Sequence, residues 1–437
     1  MTRIHSGLFR KALVVEHPDT VLDELLEADG LLVERASEVP DEAGLIRMLN
    51  AGRHQVLFKR SRVPVTRAVI EACPDLYAVQ LCCIGDDSVD KRACADHGVL
   101  VFNDPVSNGR SVVELAIAHL IALSRRLYET NEHTRAGGFD KSQVERFEIQ
   151  HRVLGILGLG NIGRQVARAA EALGMKILFH DTREVAREIG VEMGWEEVAT
   201  IDALFRRSDC VSVHVSAEDA RSQSNRALLT AEHFAQLAAD RPGPSPRLFL
   251  NLARGFLYEP DDLLAAIDAG HVGRAAVDVY PEEPRGSGPW SNPYASQPRV
   301  ATTPHLGAAT LDAQPRIARR VAQTFRAFNR QGALRDCIYR PRLLLGLGEI
   351  APGSTLLAVV HSTRRGSRKA LQDAIFEAGA SNLSTVHQDF EDYGMAFDLS
   401  AIDRPLDDDQ LRRVLHHAAD LTGEAGSIRS IRQVTLA

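Results

Sequence analysis

A membrane-spanning helix requires about 20 consecutive apolar residues, and no apolar run in this 437-residue sequence approaches that length. The N-terminal segment MTRIHSGLFRKALVVE also lacks the apolar core of a secretory signal peptide. Basic residues are not in excess, since the formal net charge is −7, and the sequence has no basic footprint for nucleic acid. We therefore expect a cytoplasmic protein that binds neither membranes nor nucleic acids.

Cysteine is scarce, and no group of cysteines has the spacing typical of metal ligands. We interpret the six cysteines as reduced structural thiols and predict no metal site. Charged residues make up 25% of the chain and apolar residues 44%, as in ordinary globular proteins. The chain is too long for one ordinary domain, so two or three domains are expected, each with its own core.

One stretch, residues 153–181, reads as a strand, a tight turn, a helix and a second strand. The apolar run VLGIL leads into Gly158-x-Gly160-x-x-Gly163. These glycines permit the turn, the approach of a pyrophosphate to the backbone, and the packing of helix on strand. The second strand ends at Asp181, an acid that suits the ribose hydroxyls of NAD and repels the 2′-phosphate of NADP. The arginine two positions later weakens that preference.

Polar residues stand at the ends of the strands that follow. Strands and helices continue to alternate to about residue 310, which indicates a doubly wound parallel sheet. In such a sheet the carboxyl ends of the strands line the ligand crevice. The residues found at those ends are His214, Arg254, Asp278 and His305.

Arg254, Glu283 and His305 carry the groups needed to oxidise a hydroxy acid beside NAD. Arg254 can grip a carboxylate with two hydrogen bonds and polarise the adjacent carbonyl. His305 titrates near neutrality and can accept the hydroxyl proton or return it. Glu283 can pair with His305, raise its pKa and fix its orientation. Taken singly, each residue also has a plain structural interpretation: a surface salt bridge, a loop charge and a satisfied histidine.

The segments around these residues resemble the signatures of the D-isomer-specific 2-hydroxyacid dehydrogenases. They are Asn251-Leu252-Ala253-Arg254-Gly255, Ala276-Val277-Asp278-Val279-Tyr280-Pro281-Glu282-Glu283-Pro284 and Thr303-Pro304-His305-Leu306-Gly307. The resemblance covers nearly all of residues 50–330. It implies NAD as cofactor and Arg254, Glu283 and His305 as the catalytic set, with Asp278 near the nicotinamide. The cofactor-binding residues expected in this way are Gly158, Gly160, Asn161, Ile162, Gly163, Asp181, His214, Ala253, Asp278, His305 and Gly307.

Further segments resemble the substrate side of those family members that act on 3-phospho-D-glycerate. They are Arg60-Ser61-Arg62, Ser107-Asn108-Gly109-Arg110-Ser111 and Lys141. Cations at Arg60 and Lys141 suit a substrate with a phosphate as well as a carboxylate. The resemblance thus implies NAD-dependent oxidation of 3-phospho-D-glycerate to 3-phosphohydroxypyruvate, the first step of L-serine biosynthesis. The substrate-binding residues it implies are Arg60, Ser61, Asn108, Gly109, Lys141 and Arg254.

Two alternatives stay open at this level. Gly85-Asp86-Asp87 places two acids where the family more often has a Thr or Val and an Asn. The substrate could therefore be another 2-oxo acid, such as hydroxypyruvate, glyoxylate or 2-oxoglutarate. The second alternative is an NAD(H)-sensing binding protein. Transcriptional corepressors that resemble this family also carry the catalytic set of arginine, glutamate and histidine. The C-terminal region and the basic substrate loop argue against it.

Residues 355–437 follow the order strand, helix, strand, strand, helix, strand, which is typical of a ferredoxin-like domain. The region resembles the ACT amino-acid-sensing module, and His361 and Asn382 match positions that bind L-serine in feedback-regulated members. We expect a regulatory amino-acid site between two such domains, with a domain kept only for assembly as the alternative. The resemblance also implies a homodimer or homotetramer, with contacts through residues 111–139.

These features together predict an α/β protein. We expect a doubly wound Rossmann-type parallel sheet, a second flavodoxin-like lobe and a C-terminal ferredoxin-like (ACT) domain. The apolar stretch 111–134 is expected to form one long helix. The expected boundaries are a substrate-binding lobe at 1–110, completed by 311–340, an NAD-binding Rossmann domain at 111–310, a linker at 341–354 and an ACT-like regulatory domain at 355–437.

Overall fold

The computed structural model describes residues 2–219, 223–284, 290–340 and 343–436. The chain divides into two compact units. One unit comprises residues 108–313, and the other combines residues 1–107 with residues 314–437. Within the described ranges, no helix has an apolar stretch long enough to cross a membrane.

The strands of the described residues are mostly short. In chain order they are β1 (Arg3–Ser6), β2 (Lys11–Val14), β3 (Leu32–Arg35), β4 (Val56–Lys59), β5 (Ala78–Leu81), β6 (Leu100–Phe102), β7 (Val153–Leu157), β8 (Lys176–His180), β9 (Glu196–Glu197), β10 (Cys210–Val213), β11 (Leu248–Asn251), β12 (Arg274–Val277), β13 (Val300–Thr302), β14 (Leu334–Arg335), β15 (Leu344–Leu345), β16 (Thr355–Ser362), β17 (Asn382–Phe390), β18 (Met395–Ile402) and β19 (Ile428–Thr435).

The helices alternate with these strands through most of the chain. They are α1 (Val21–Ala28), α2 (Glu42–Gly52), α3 (Arg67–Ala72), α4 (Lys91–Asp96), α5 (Gly109–Arg125), α6 (Leu127–Arg135), α7 (Asn161–Ala172), α8 (Glu184–Glu192), α9 (Ile201–Arg207), α10 (Ala231–Ala235), α11 (Pro260–Asp268), α12 (Ala313–Gln331), α13 (Ser367–Glu377) and α14 (Asp408–Thr422), with 3-10 turns at Gly255–Leu257 and Glu391–Tyr393.

The unit of residues 108–313 is built on a seven-stranded parallel sheet with the order β13-β12-β11-β10-β7-β8-β9. The chain runs outward from β7 to β9, then returns to β10 beside β7 and runs outward the other way. Alternate residues of β7 contribute to two separate apolar cores, Val153 and Leu157 to one and Leu154 and Ile156 to the other. The predicted Rossmann-type sheet is confirmed, and the reversal between β7 and β10 is its ligand-binding switch point.

The prediction of one helix over residues 111–134 is wrong. Helix α5 ends at Arg125 and α6 begins at Leu127, because Arg126 between them is left-handed with φ 58°. A left-handed residue ends a helix by turning the backbone away from its axis. Glycine usually fills this position, so an arginine there gives no signal in the sequence.

The other unit contains a five-stranded parallel sheet with the order β3-β2-β4-β5-β6. This is the flavodoxin-like order, as predicted. Helix α12 packs on this lobe, where Phe325 meets Phe58 edge-on at 5.4 Å between ring centroids. Beyond α12, β14 and β15 form a short antiparallel pair that includes part of the expected linker 341–354. Residues 341–342 of that linker lie outside the described residues.

The C-terminal elements β16-α13-β17-β18-α14-β19 have the predicted ferredoxin-like order. Their sheet has the strand order β1-β19-β16-β18-β17, so β1 pairs with β19 as a fifth strand. The expected substrate-binding lobe of residues 1–110 includes this strand, whereas the structure places β1 in the C-terminal sheet. The segment Arg3–Ser6 has only one aliphatic side chain and carries no strand pattern of its own, whereas pairing with β19 satisfies its backbone groups.

Buried arginines join the C-terminal sheet to the flavodoxin-like lobe. Arg3 of β1 donates a hydrogen bond to the Ile70 carbonyl at 2.8 Å. Arg432 of β19 donates to the Phe328 carbonyl at 3.1 Å and lies 4.1 Å from the ring centroid of Phe9. Burial lowers the pKa of Arg432 to about 9. The buried guanidinium groups donate their hydrogen bonds to backbone carbonyls of the lobe and of α12. The lobe and the C-terminal sheet therefore pack as parts of one unit.

Candidate active site

The turn between β7 and α7 leaves room for a ligand at one of its three glycines. Gly158 has φ 93°, and a Cβ there would lie 2.8 Å from the His214 carbonyl. A Cβ at Gly163 would overlap the carbonyl oxygen of Gly158. A Cβ at Gly160 would meet nothing closer than the Arg183 guanidinium at 3.7 Å. Packing therefore requires glycine at 158 and 163, whereas glycine at 160 leaves open the space that a pyrophosphate needs beside a helix N-terminus.

Asp181 follows β8 and carries a fully partnered carboxylate. Oδ2 accepts hydrogen bonds from the Leu159 backbone N–H at 2.7 Å and the Arg183 guanidinium at 2.8 Å. Burial alone would raise the pKa of Asp181, but the hydrogen bonds and charge of Arg183 outweigh burial and lower it. The acid therefore stays ionised at the position that contacts the ribose in dinucleotide-binding domains. Arg183 beside it offers a cation to a 2′-phosphate.

His305 and Glu283 form a hydrogen-bonded pair. Nδ1 of His305 lies 2.8 Å from Oε2 of Glu283 and 3.1 Å from Oε1. The hydrogen bond to Glu283 raises the pKa of His305, against the opposing effect of burial. Burial would raise the pKa of Glu283, but His305 and the charge of Arg254 lower it. With Nδ1 held by the carboxylate, Nε2 is the ring nitrogen that can exchange a proton with a substrate.

Asp278 fixes the segment that carries His305. Its carboxylate is buried, and Oδ1 accepts from the Thr303 hydroxyl at 2.6 Å and the Leu306 N–H at 2.7 Å. Oδ2 accepts from the Gly307 N–H at 2.9 Å. His305 has φ 55°, a left-handed conformation that is uncommon for a residue with a side chain. Three hydrogen bonds to the buried carboxylate of Asp278 hold the backbone around His305 in this conformation. The contact of Asp278 with the nicotinamide stays a prediction.

Arg254 follows β11 in a turn organised by Asn251. The Asn251 side chain donates to the Arg254 carbonyl at 2.9 Å and accepts from the Ala253 N–H at 3.0 Å. A Cβ at Gly255 would overlap the backbone of Tyr280, so the chain after Arg254 lies directly against the segment that follows β12. The structure thus brings the three predicted catalytic residues to the ends of adjacent strands β11, β12 and β13.

His214 follows β10 and has a buried environment of its own. Its Nε2 lies 2.8 Å from the Ser212 hydroxyl. Burial lowers the pKa of His214 to about 4, so the ring is neutral at physiological pH. Its carbonyl borders Gly158, so His214 lies beside the fingerprint turn, and its contact with the cofactor stays a prediction.

Asn108 and Gly109 lie beside the start of α7. A Cβ at Gly109 would lie 2.9 Å from the Asn161 side chain. The side-chain oxygen of Asn108 is buried and has no hydrogen-bond partner among the residues that the structure describes. A buried acceptor without a partner costs free energy, so this position suits a polar ligand. A polar surface next to the dinucleotide fingerprint is therefore formed by Asn108, Gly109 and Asn161.

The remaining predicted substrate residues lie elsewhere. Lys141 is exposed, with its Nζ 5.4 Å from the ring centroid of Phe139. Arg60 and Ser61 follow β4 in the unit that contains the flavodoxin-like lobe. Each unit therefore presents part of the predicted substrate-binding set.

Glu16 is a residue that the sequence analysis missed. It is buried, and its carboxylate accepts from the backbone N–H groups of Arg62, at 3.0 Å, and Val63. Buried Lys59 lies 3.8 Å from Glu16 and donates to the Arg60 carbonyl at 2.8 Å. Burial lowers the pKa of Lys59, and the charge of Glu16 acts against that. This pair shapes the basic loop, but a lone acid after a strand looks like a surface charge in the sequence.

His361 and Asn382 lie at opposite ends of the C-terminal sheet. In the register of the sheet, His361 pairs with Ala396 and Asn382 pairs with Ile402. His361 is buried with its Nε2 2.7 Å from Asp398, whereas Asn382 is exposed. The two residues do not meet within one chain, so the predicted effector site requires them to come from different chains.

A glycine fingerprint at the switch point, with an acid–base histidine and an arginine at neighbouring strand ends, defines a nicotinamide-dependent oxidoreductase. The profile of the family described as D-isomer specific 2-hydroxyacid dehydrogenase, NAD binding domain, matches residues 117–307. The chain belongs to this family of dehydrogenases, as its 33% identity to one relative also shows. Its cofactor is NAD.

The chain is 33% identical over 324 residues to D-3-phosphoglycerate dehydrogenase of Escherichia coli (strain K12), a match that covers 74% of this chain and 74% of that protein. It is 29% identical over 376 residues to D-3-phosphoglycerate dehydrogenase 1 of Saccharomyces cerevisiae, covering 84% of this chain and 76% of that protein. The crystal structure of a glyoxylate reductase from Paecilomyes thermophila shares the fold, with a TM-score of 0.65 and 23% identity over 76% of this chain and 98% of that chain.

Proposed function

We propose that this enzyme oxidises 3-phospho-D-glycerate to 3-phosphohydroxypyruvate with NAD, in the first step of L-serine biosynthesis. The observation that carries the chemistry is the cluster of Arg254, Glu283 and His305 at three adjacent strand ends. The two relatives named D-3-phosphoglycerate dehydrogenase, one bacterial and one from yeast, support the choice of substrate.

Each member of the cluster has a separate task in this reaction. NAD, when bound, supplies the hydride acceptor. Arg254 binds the substrate carboxylate and orients the hydroxyl-bearing carbon. His305 takes the hydroxyl proton on Nε2 as the hydride leaves, and Glu283 stabilises the imidazolium that results. In the reverse direction His305 returns the proton to the carbonyl oxygen, so the same set serves reduction.

We assign the phosphate of the substrate to Arg60, Ser61 and Lys141, and further polar contacts to Asn108 and Gly109. The test is Arg60→Ala, assayed for NADH oxidation with 3-phosphohydroxypyruvate and with hydroxypyruvate. The ratio of the two kcat/KM values should fall at least about tenfold, since a charge-assisted bond to phosphate is worth about 1.5–3 kcal/mol.

The matched control is Arg53→Ala, because Arg53 is an exposed arginine of the same unit that pairs with Asp75 on the surface. Arg53→Ala should keep the wild-type ratio. An unchanged ratio in Arg60→Ala would contradict the phosphate assignment and favour an unphosphorylated 2-oxo acid as substrate.

We further propose a homodimer or homotetramer that assembles through α5, α6 and the segment after them. Large apolar side chains are exposed along this stretch: Ile121, Leu127, Tyr128, Phe139 and Val144. A concentration of such side chains marks an association surface. Sedimentation equilibrium should show an oligomer that Phe139→Glu weakens and Leu32→Glu, at an exposed leucine of the other unit, does not. A monomeric wild-type protein would contradict this proposal.

For the C-terminal domain we propose an amino-acid effector site between two chains, with His361 and Asn382 as contacts and L-serine as effector. L-Serine should lower the velocity of the wild-type enzyme, and Asn382→Ala should weaken this inhibition. If serine changes neither velocity nor melting temperature, the domain serves assembly alone. A cytoplasmic location is also proposed, and cell fractionation tests it.

A further inference from the structure

Three polar side chains of the C-terminal sheet converge at one point. His361 stands on β16, His387 on β17 and Asp398 on β18, so they belong to three neighbouring strands. One ring nitrogen of each histidine and an oxygen of Asp398 lie within 4.8 Å of one another. His361 Nε2 is 2.7 Å from Asp398 Oδ2, and His387 Nδ1 is 3.0 Å from Asp398 Oδ1.

This cluster lies on the side of the sheet that the helices cover. Val359 of the helix-side core pairs directly with Asp398, and Asp398 pairs directly with His387, so all three residues face the same side. His361 and Asp398 are buried, and His387 is partly exposed. Charged groups in a core are costly unless each is paired, so the cluster needs a physical reason.

The second nitrogen of each ring is already committed to an acceptor. His361 Nδ1 lies 2.7 Å from the Ser362 carbonyl, which only accepts hydrogen bonds, so Nδ1 carries the proton. His387 Nε2 lies 3.1 Å from the carboxylate of Asp389. A neutral imidazole ring carries one proton. When the outer nitrogen, Nδ1 of His361 or Nε2 of His387, donates that proton to its acceptor, the inner nitrogen presents a lone pair toward the Asp398 carboxylate. Each inner nitrogen is thus placed to act as a ligand for a cation that lies between the rings and the carboxylate.

We infer that His361, His387 and Asp398 form a binding site for one divalent metal ion of the zinc class. Two imidazole nitrogens and a carboxylate oxygen are a common ligand set for Zn²⁺, and three protein ligands leave one position open. Ligand histidines usually donate their outer N–H to a carbonyl or carboxylate, as Ser362 and Asp389 provide here. Ligands of a tetrahedral zinc site are about 3.3 Å apart, and the three ligand atoms here already lie within 4.8 Å of one another.

A competing cation must move for the metal to bind. Arg368, in the first turn of α13, lies 3.4 Å from Asp398 Oδ1 and is half-exposed, so it can turn outward into solvent. A bound ion would link β16, β18 and the edge strand β17. This inference does not depend on the proposed reaction. Because both ring nitrogens of His361 are used within the chain, the proposed effector site would contact Asn382 and the backbone at His361.

The test is a cobalt titration of the full-length protein after dialysis against EDTA. Co²⁺ replaces Zn²⁺ in N/O sites, and low-symmetry coordination gives visible absorption. We expect one Co²⁺ per chain, at least about tenfold weaker binding in His387→Gln and Asp398→Asn, and tighter binding in Arg368→Gln, which lacks the competing cation. The control His416→Gln, at an exposed histidine of α14, should bind as the wild type does.

A second readout guards against variants that fail to fold. Zn²⁺ should raise the melting temperature of the wild type and of His416→Gln, but not of His387→Gln, whose side chain is partly exposed on an edge strand. Circular dichroism without metal checks that His387→Gln is folded. The inference is overturned if the wild type binds no Co²⁺ or Zn²⁺, or if His387→Gln and Asp398→Asn bind as tightly as the control.

Discussion

Alanine at Gly160 and alanine at Gly163 should have different effects, although both glycines belong to the same fingerprint. At Gly160 a Cβ meets nothing closer than 3.7 Å, and the backbone φ of −71° suits alanine. Gly160→Ala should therefore fold normally and lose cofactor affinity, because its methyl group occupies the space left for the pyrophosphate. At Gly163 a Cβ overlaps the carbonyl oxygen of Gly158, so Gly163→Ala should lose stability as well.

The structure sets the size of each effect. Overpacking of this kind costs about 1–3 kcal/mol, because α7 must move away from β7. For a unit of this size, 1 kcal/mol lowers the melting temperature by about 2–4 °C, so Gly163→Ala should melt about 2–12 °C lower without cofactor. Gly160→Ala should melt within about 1 °C of the wild type, while its Kd for NADH should rise at least tenfold, or about 1.4 kcal/mol.

Two assays separate these outcomes: thermal melting without cofactor and titration of NADH fluorescence. Gly348→Ala is the control, because a Cβ at that exposed glycine meets nothing within 4 Å. The assignment of the space beside Gly160 to the pyrophosphate is refuted if Gly160→Ala binds NADH as tightly as the wild type. It is also refuted if Gly160→Ala loses as much stability as Gly163→Ala.

Two further variants test the acid–base pair and the basic loop. Glu283→Gln removes the hydrogen-bonding charge that raises the pKa of His305, so that pKa should fall. Oxidation requires neutral His305, so the rise of kcat/KM with pH should move to lower pH, and an unchanged profile would contradict the pairing. Glu16→Gln leaves buried Lys59 without its counter-charge, so unfolding in urea should show a loss of about 3 kcal/mol, and the substrate KM should rise. Glu38→Gln, at an exposed acid, should change neither, and equal effects of the two variants would refute the role of Glu16.

The Rossmann-type sheet and its site could be predicted because their signals are local. Each strand of this sheet is a short apolar run, and the residue after the run marks the carboxyl edge of the sheet. The pairing of His305 with Glu283 is predicted from the chemistry of the two side chains and from the family signatures that contain them. The structure places them 2.8 Å apart.

The features that the sequence did not reveal depend on contacts between distant segments. Strand β1 exists because β19, more than 400 positions later, offers a free edge. Glu16 was missed because its backbone partners at Arg62 and Val63 come from another loop. The cluster of His361, His387 and Asp398 has no characteristic spacing, since three strands contribute one residue each. The break at Arg126 has another cause, because its left-handed backbone has no residue preference beyond glycine and asparagine.

The most direct test of the proposed function is NADH oxidation by the purified protein with 3-phosphohydroxypyruvate, hydroxypyruvate and 2-oxoglutarate as separate substrates. The proposal predicts the highest kcat/KM for 3-phosphohydroxypyruvate, by at least about tenfold, because only this substrate carries a phosphate for the cations at Arg60 and Lys141. A higher kcat/KM for either unphosphorylated acid would contradict the proposed substrate and would leave the hydride chemistry at Arg254, Glu283 and His305 intact.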